Sequence, residues 1–250
     1  VFEALTGSLR LEQAINSDWS WSAQLANQRL TNQDRLAYAF GCSTEGNYDR
    51  YCSDGSYDMY DFRSENERRT QQAARLQLKG RAQTGAVAHD LGFSVMTSQV
   101  RNRFQNQAYN WVGYGQVDGS AITPEDPSLT TESTNRDERS LEFAVQDAIR
   151  WNERFTTWVG LRHTRLSRDS VGTDGSSPTG YDDSLTTTWL AATYRFEPGQ
   201  QVYASYGEGV ESQIVPNKAG QYSNAGVALP SLKSKQWELG IRGEADGWKW

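Results

Sequence analysis

The chain has 250 residues, of which 36% are hydrophobic and 12% aromatic, with nine tryptophans and a net charge of −6. Its mean hydropathy is −0.75. That length admits one large all-β domain or two small ones, the aromatic content argues against disorder, no apolar run reaches the ~18 residues of a membrane helix, and the acidic balance gives no footprint for nucleic acid.

Residues 1–15 alternate, with Leu5, Leu9, Leu11 and Ile15 on one face and Ser8, Arg10 and Glu12 on the other. Such a period of two predicts a half-buried strand. Asn16-Ser17-Asp18 predicts a tight turn. Trp19, Trp21, Ala23 and Leu25 then alternate with Ser20, Ser22, Gln24 and Ala26. A polar loop is expected over 34–61, and it holds Cys42 and Cys52. Two cysteines in one exposed loop are expected to pair if the chain lies in an oxidising compartment, the alternative being two free thiols. The next strand ends with Ala74, Leu76 and Leu78 opposed by Arg75, Gln77 and Lys79. After a short connection expected around Gly80 to Gly85, His89, Leu91, Phe93 and Val95 alternate with Asp90, Gly92, Ser94 and Met96. A second long loop is expected over 102–139.

Leu141, Phe143 and Val145 open the next strand, and Trp151-Asn152-Glu153 turns it back into Phe155, Val159 and Leu161. A third loop, rich in Asp, Gly and Ser, is expected over 168–183. Leu190, Ala192, Tyr194 and Phe196 oppose Trp189, Thr193 and Arg195, and Glu197-Pro198-Gly199 makes a tight turn. Val202, Ala204 and Tyr206 follow, then a polar loop over 208–231, then Trp237, Leu239 and Ile241. A turn at Ala245-Asp246-Gly247 leads to Trp248, where a further strand starts. All prolines fall in the expected loops or turns, as ladder hydrogen bonding requires.

About ten strands therefore read as a meander in which short and long connections alternate strictly. Long loops confined to one rim are the mark of a transmembrane β-barrel, whose ~9–11-residue strands turn an apolar side to lipid and a polar side to the lumen. Trp19, Trp21, Trp151, Phe155, Phe196, Tyr203 and Trp248 gather near the short turns, as an interfacial girdle would. The rival architecture is a soluble β-sandwich with its aromatics in a core.

Four stretches also resemble TonB-dependent outer-membrane receptors of the siderophore type. They are Thr84-Gly85-Ala86-Val87-Ala88-His89-Asp90-Leu91; Val145-Gln146-Asp147 with Val159-Gly160-Leu161-Arg162; Tyr203-Ala204-Ser205-Tyr206-Gly207-Glu208-Gly209; and Leu229-Pro230-Ser231-Leu232-Lys233-Ser234-Lys235-Gln236-Trp237-Glu238-Leu239-Gly240. Val159 stands where the family's hairpin has a glycine. The resemblance implies an all-β, antiparallel up-and-down barrel of about 22 strands, of which this chain supplies a central part. A plug domain and the C-terminal strands would lie elsewhere in a longer, monomeric protein of the Gram-negative outer membrane. It further implies import of an iron–siderophore complex energised through TonB acting on the plug. Iron would arrive with its chelator, so no resident cofactor or metal is expected. A passive porin is the alternative transporter.

No catalytic constellation stands out. His89 and His163, the two histidines, lack metal-ligand spacing or a nearby nucleophile motif. Asp169 to Gly175 fails the calcium-loop spacing and reads as a solvated loop. Glu65-Asn66-Glu67-Arg68-Arg69 reads as a strand rim, and Arg162 and Arg242 as lumen-facing groups that meet the plug or water. The candidate ligand-binding set is Tyr109, Trp111 and Tyr114 in the second loop, with Arg101 and Arg103 just before it. In an extended chain Tyr109 and Trp111 point the same way, and aromatic faces with guanidinium groups suit rigid, polar, often anionic chelates. Tyr48, Tyr51, Tyr57 and Tyr60 form a second aromatic cluster around the cysteines.

Overall fold

In the computed structural model the described residues are 1–211, 215, 220, 222–225, 227, 229, 231–245 and 247–250. They form one antiparallel sheet of 11 strands. The strands are β1 (Phe2–Ala14), β2 (Trp19–Ala39), β3 (Ser56–Thr84), β4 (Val87–Arg103), β5 (Ala108–Gln116), β6 (Thr134–Arg150), β7 (Phe155–Gly172), β8 (Thr179–Glu197), β9 (Gln200–Glu211), β10 (Leu232–Ala245) and β11 (Trp248–Lys249). Each strand lies beside the next in sequence, except that β4 pairs with β6, and β5 folds back onto β3. Pro216, Pro230 and Asp246, which the sequence places in loops or a turn, lie outside the described residues.

The register carries the predicted alternation from strand to strand. Leu11 lies opposite Ala23, Ala23 opposite Leu76, Leu76 opposite Val95, and Val95 opposite Phe143. Opposed residues share a face, so this row belongs to one apolar surface. No second layer covers it: Leu9 is 68%, Phe143 47% and Leu239 83% exposed. That excludes a sandwich, whose inward residues would be buried. The other face carries Gln77, Ser94, Gln146 and Glu142. Its small and large residues interlock: an ideal Cβ on Gly160 would sit 1.9 Å from the indole nitrogen of Trp189, and one on Gly240 would sit 2.5 Å from the Tyr203 ring. The Tyr203 hydroxyl donates to Glu238 at 2.6 Å. Apolar outside and polar inside, the sheet is part of a barrel wall, as predicted.

Three loop expectations are corrected. β2 runs 21 residues and β3 29, about two to three times a bilayer-crossing strand. The first loop thus shrinks from 34–61 to 40–55. The third shrinks from 168–183 to 173–178, since Asp169 to Gly172 belong to β7. The second contains β5. In each case the backbone ladder continues beyond the membrane, where water wets both faces and the side chains lose their apolar/polar alternation. The short turns after β1, β6 and β8 stand as predicted, and Asn caps explain the first two: Asn16 Oδ1 accepts from the amides of Asp18 and Trp19, and Asn152 Oδ1 from those of Arg154 and Phe155. The connection expected around Gly80 to Gly85 narrows to Gly85 and Ala86, since β3 runs to Thr84.

Candidate functional site

The tallest part of the wall is the β2–β3 hairpin with β5 laid against it. Even-numbered β2 residues face inward, Gln24 and Gln28 low on the strand, Leu36 and Tyr38 near its top. β3 changes parity on the way up. Asn32 pairs with Glu67 but Asp34 with Ser64, so one extra residue is inserted. Asn66 absorbs it with a φ of 56°, a left-handed conformation that asparagine tolerates better than most residues. Above that bulge Tyr60 and Phe62 face inward, where below it Gln77 and Lys79 do.

β5 adds its own aromatics to the same face, with Tyr109 opposite Phe62 and Trp111 opposite Tyr60. A second register shift, between Met59 and Tyr60, sets Tyr114 opposite Asp58. Gly113, at φ 123°, accommodates it. Without that shift, Tyr114 would point away from Trp111. The result is a stacked surface. Tyr109 lies 4.9 Å from Tyr60, 5.9 Å from Tyr38 and 6.2 Å edge-on from Phe62; Trp111 meets Tyr114 edge-on at 5.3 Å. Tyr38 continues to Phe40, and Phe40 to Tyr48. Partial burial raises the hydroxyl pKa of both Tyr60 and Tyr109, so these phenols stay neutral donors at physiological pH. Tyr109 and Trp111 remain 41% and 51% exposed, open to a ligand.

The disulfide Cys42–Cys52 forms and closes the loop above this surface. Asp58, only 2% exposed, fastens that loop to the aromatic face. It accepts from the Ser43 amide at 2.7 Å, the Ser43 hydroxyl at 2.8 Å and the Trp111 indole at 3.2 Å. Sequence reasoning missed Asp58, Tyr38 and Phe62. Nothing local marks them, since their partners lie tens of residues away. Of the second predicted cluster, Tyr60 and Tyr48 join this surface, while Tyr51 and Tyr57 pair with each other at 4.8 Å.

Arg101 and Arg103 are not brought to the aromatics. They pair with Thr70 and Arg68, below the Asn66 bulge, and share the outward face of Leu76 and Val95. Arg103 is bound to both oxygens of Asp137 at 2.8 Å. The sequence grouping failed here because β4 stays regular to Arg103, so its parity fixes the arginines outward. On the outward side, Arg63, Asp61, Glu125 and the Asp126 amide clamp the second loop to β3.

His89 Nδ1 lies 2.7 Å from Asp147 Oδ2 and ties β4 to β6 near a short turn. His163 bonds to Thr186 and Ser184. Glu67 of the predicted rim accepts from Ser64 and Arg69 at the bulge. The group Cys42, Glu45 and Cys52 could hold a metal by proximity among the described residues, but both sulfurs are spent in the disulfide. Lower down, the inward face holds a groove of about 260 Å³ with Arg75, Glu142, Arg162 and Trp189 in its lining. Arg162 pairs there with Glu142 at 3.5 Å.

A model for the β-barrel of TonB-dependent receptor-like proteins matches residues 2–250. The ferrioxamine B receptor of Salmonella typhimurium strain SL1344 is 24% identical over 241 residues, covering 95% of this chain and 31% of the receptor. Two solved structures share the fold. The ferric preacinetobactin receptor BauA of Acinetobacter baumannii aligns with TM-score 0.76 and 19% identity, over 98% of this chain and 36% of its own. The ferric-catecholate import receptor Fiu from K12 E. coli aligns with TM-score 0.78 and 13% identity, over 97% and 38%. The chain thus spans about a third of the length of these relatives.

Proposed function

This chain belongs to the TonB-dependent receptor β-barrel family, and on that premise we propose that it forms the wall and outer vestibule of a receptor importing a ferric siderophore. Members of the family are transport receptors of the outer membrane, not enzymes, and this chain is one such wall. The observation that carries the proposal is the inward aromatic surface of Tyr38, Tyr60, Tyr109 and Trp111 at the top of the tallest hairpin. Rigid rings with neutral hydroxyls offer stacking area and donors at little entropic cost, which suits a polar chelate.

In this reading the chelate docks on the aromatic surface from outside. TonB then acts on a plug contributed by the rest of the protein, and the chelate descends past the polar groove at Arg75 and Arg162. The plug packs against those inward groups. The partners are the ferric siderophore, TonB and outer-membrane lipid, and the receptor is a monomer.

Titration of the intact receptor with ferrioxamine B, ferric preacinetobactin and a ferric catecholate, followed by tryptophan quenching, tests this. Binding of at least one chelate is expected, weakened about tenfold or more by Tyr109→Ala with Trp111→Ala, since a lost aromatic contact is worth roughly 0.5–1.5 kcal/mol beyond its area. Unchanged binding by that variant would remove the surface from the vestibule. Uptake that persists without TonB would favour a passive porin.

A further inference from the structure

The inward aromatic surface is bracketed by two carboxylates. On the inward face of β2 and β3, Asp34 lies one row below Leu36 and Phe62, and Asp58 one row above Tyr38 and Tyr60. Asp58 is 2% exposed, and both of its oxygens accept from N–H donors, the Ser43 amide on Oδ2 and the Trp111 indole on Oδ1. All its partners are neutral. The Asp34 side chain makes no hydrogen bond or ion pair among the described residues. Two negative groups thus flank the rings, and neither is matched by a cation.

The cations of this part of the wall are already committed. Residues 34–65 and 104–133 hold eleven Asp and Glu against three arginines and no lysine, a net charge of −8 where the whole chain has −6. Arg35 is bound to Glu65, Arg50 to Asp49, and Arg63 to Asp61 and Glu125. Just below the Asn66 bulge, Arg69 is bound to Glu67, with its guanidinium 5.5 Å from the Phe104 ring. Aromatic faces are themselves electron-rich, so the rings and the two carboxylates act in the same sense on an approaching charge.

From this arrangement we infer that the vestibule selects, among ferric chelates, one of net positive charge: a tris-hydroxamate complex with a pendant ammonium group. Three hydroxamates balance the charge of the ferric ion, so the organic shell stacks on the rings and the ammonium alone carries charge. Asp34 takes that ammonium. Cation–π attraction from the neighbouring rings and the field of Asp58 behind Trp111 add to the pull. A tris-catecholate is a trianion and would meet two carboxylates and, among the described residues, no free cation. Arg101 and Arg103, grouped with these aromatics by sequence, suited an anionic chelate, and their outward placement reverses the sign. The inference rests on the proposed vestibule and adds charge selection to it.

The test is calorimetric titration of the intact receptor with ferrioxamine B, whose amine is free, with the same complex N-acetylated, and with a ferric tris-catecholate. The wild type is expected to bind ferrioxamine B roughly five- to tenfold more tightly than the acetylated form, and the catecholate more weakly than either. Raising the salt from about 0.05 to 0.5 M should erode only the advantage of the free amine. Asp34→Asn removes no contact within the protein. It should lower the affinity for ferrioxamine B to that of the acetylated form and leave the acetylated form unaffected, a split that a damaged fold would not give. Asp49→Asn, at a carboxylate already bound to Arg50, should change neither. Equal binding of the two hydroxamates by the wild type would overturn the inference and leave the vestibule standing. So would an amine advantage that survives Asp34→Asn, or tighter binding of the catecholate. Failure of all three chelates to bind would overturn the vestibule and the inference together.

Discussion

Arg63 donates to Asp61 from Nε and Nη2, each at 3.0 Å, and to Glu125 from Nη2 at 2.6 Å. Asp61 in turn accepts from the Asp126 amide at 2.9 Å. The Arg63 side chain is 12% exposed and that of Asp61 11%, so this pair is screened far less than Arg35–Glu65, where Arg35 is 67% exposed. Removing one partner leaves the other partly buried and unmatched, at a cost of roughly 1–3 kcal/mol. Arg63→Ala should therefore release residues 124–130, seen as faster proteolysis in that stretch, while Arg35→Ala should leave it protected. The Arg63 hydrogen bond holds the Asp61 carboxyl below its usual range, helped by the Asp126 amide. A lowered pKa stabilises the clamp above the unfolded value of about 3.9 and loses it as pH falls through the folded one. The same release should thus appear in the wild type below about pH 4, read by acid-protease cleavage, and not between pH 5 and 8. At this scale the sequence was partly legible. Tyr109 and Trp111 share a face by period alone, but Tyr114 joins them only through the shift at Gly113, which no local pattern signals. Arg101 and Arg103 lie close to the aromatics in sequence and on the other face in space.

Strands were legible where one face is apolar and the other polar. Leu76 and Gln77 announce β3, as Val95 and Ser94 announce β4, because burial in lipid selects side chains on one side only. Above the bilayer that selection ends. Residues 34–39 and 56–61 read as loop, yet Leu36 pairs with Phe62 and Tyr38 with Tyr60. β5 was hidden for a related reason: its partner on β3 lies about fifty residues back, and the turn signals around it resemble those of any polar loop. The lipid-facing assignment makes a sharp prediction at the level of the strand. Leu76→Arg should destabilise the barrel by roughly 2–4 kcal/mol, the cost of a basic side chain deep on the lipid face. Gln77→Arg, one residue on, should cost little. The check is the urea midpoint for folding into lipid vesicles, compared between the two variants. Equal effects would show that the two faces meet the same solvent.

The whole molecule is a wall with different tasks on its two sides and at different heights. The inner face, polar and interlocked through pairs such as Gly160 with Trp189, lines a passage. Its extension beyond the membrane carries the aromatic surface, held rigid by Asp58 and the disulfide. The outer face is apolar low down and polar at its upper margin, where Arg101 lies opposite Asp137 and Gln99 opposite Arg139. The central claim is this division of faces. It is tested most directly by spin labels placed singly along residues 91–96 of β4 in the intact receptor in liposomes, with collisions measured against oxygen and a water-soluble nickel chelate. Labels at 91, 93 and 95 should favour oxygen and those at 92, 94 and 96 the nickel chelate, in a strict alternation of opposite phase. Labels at 91, 93 and 95 shielded from both reagents would instead reveal a dry core between two layers, and would contradict the barrel.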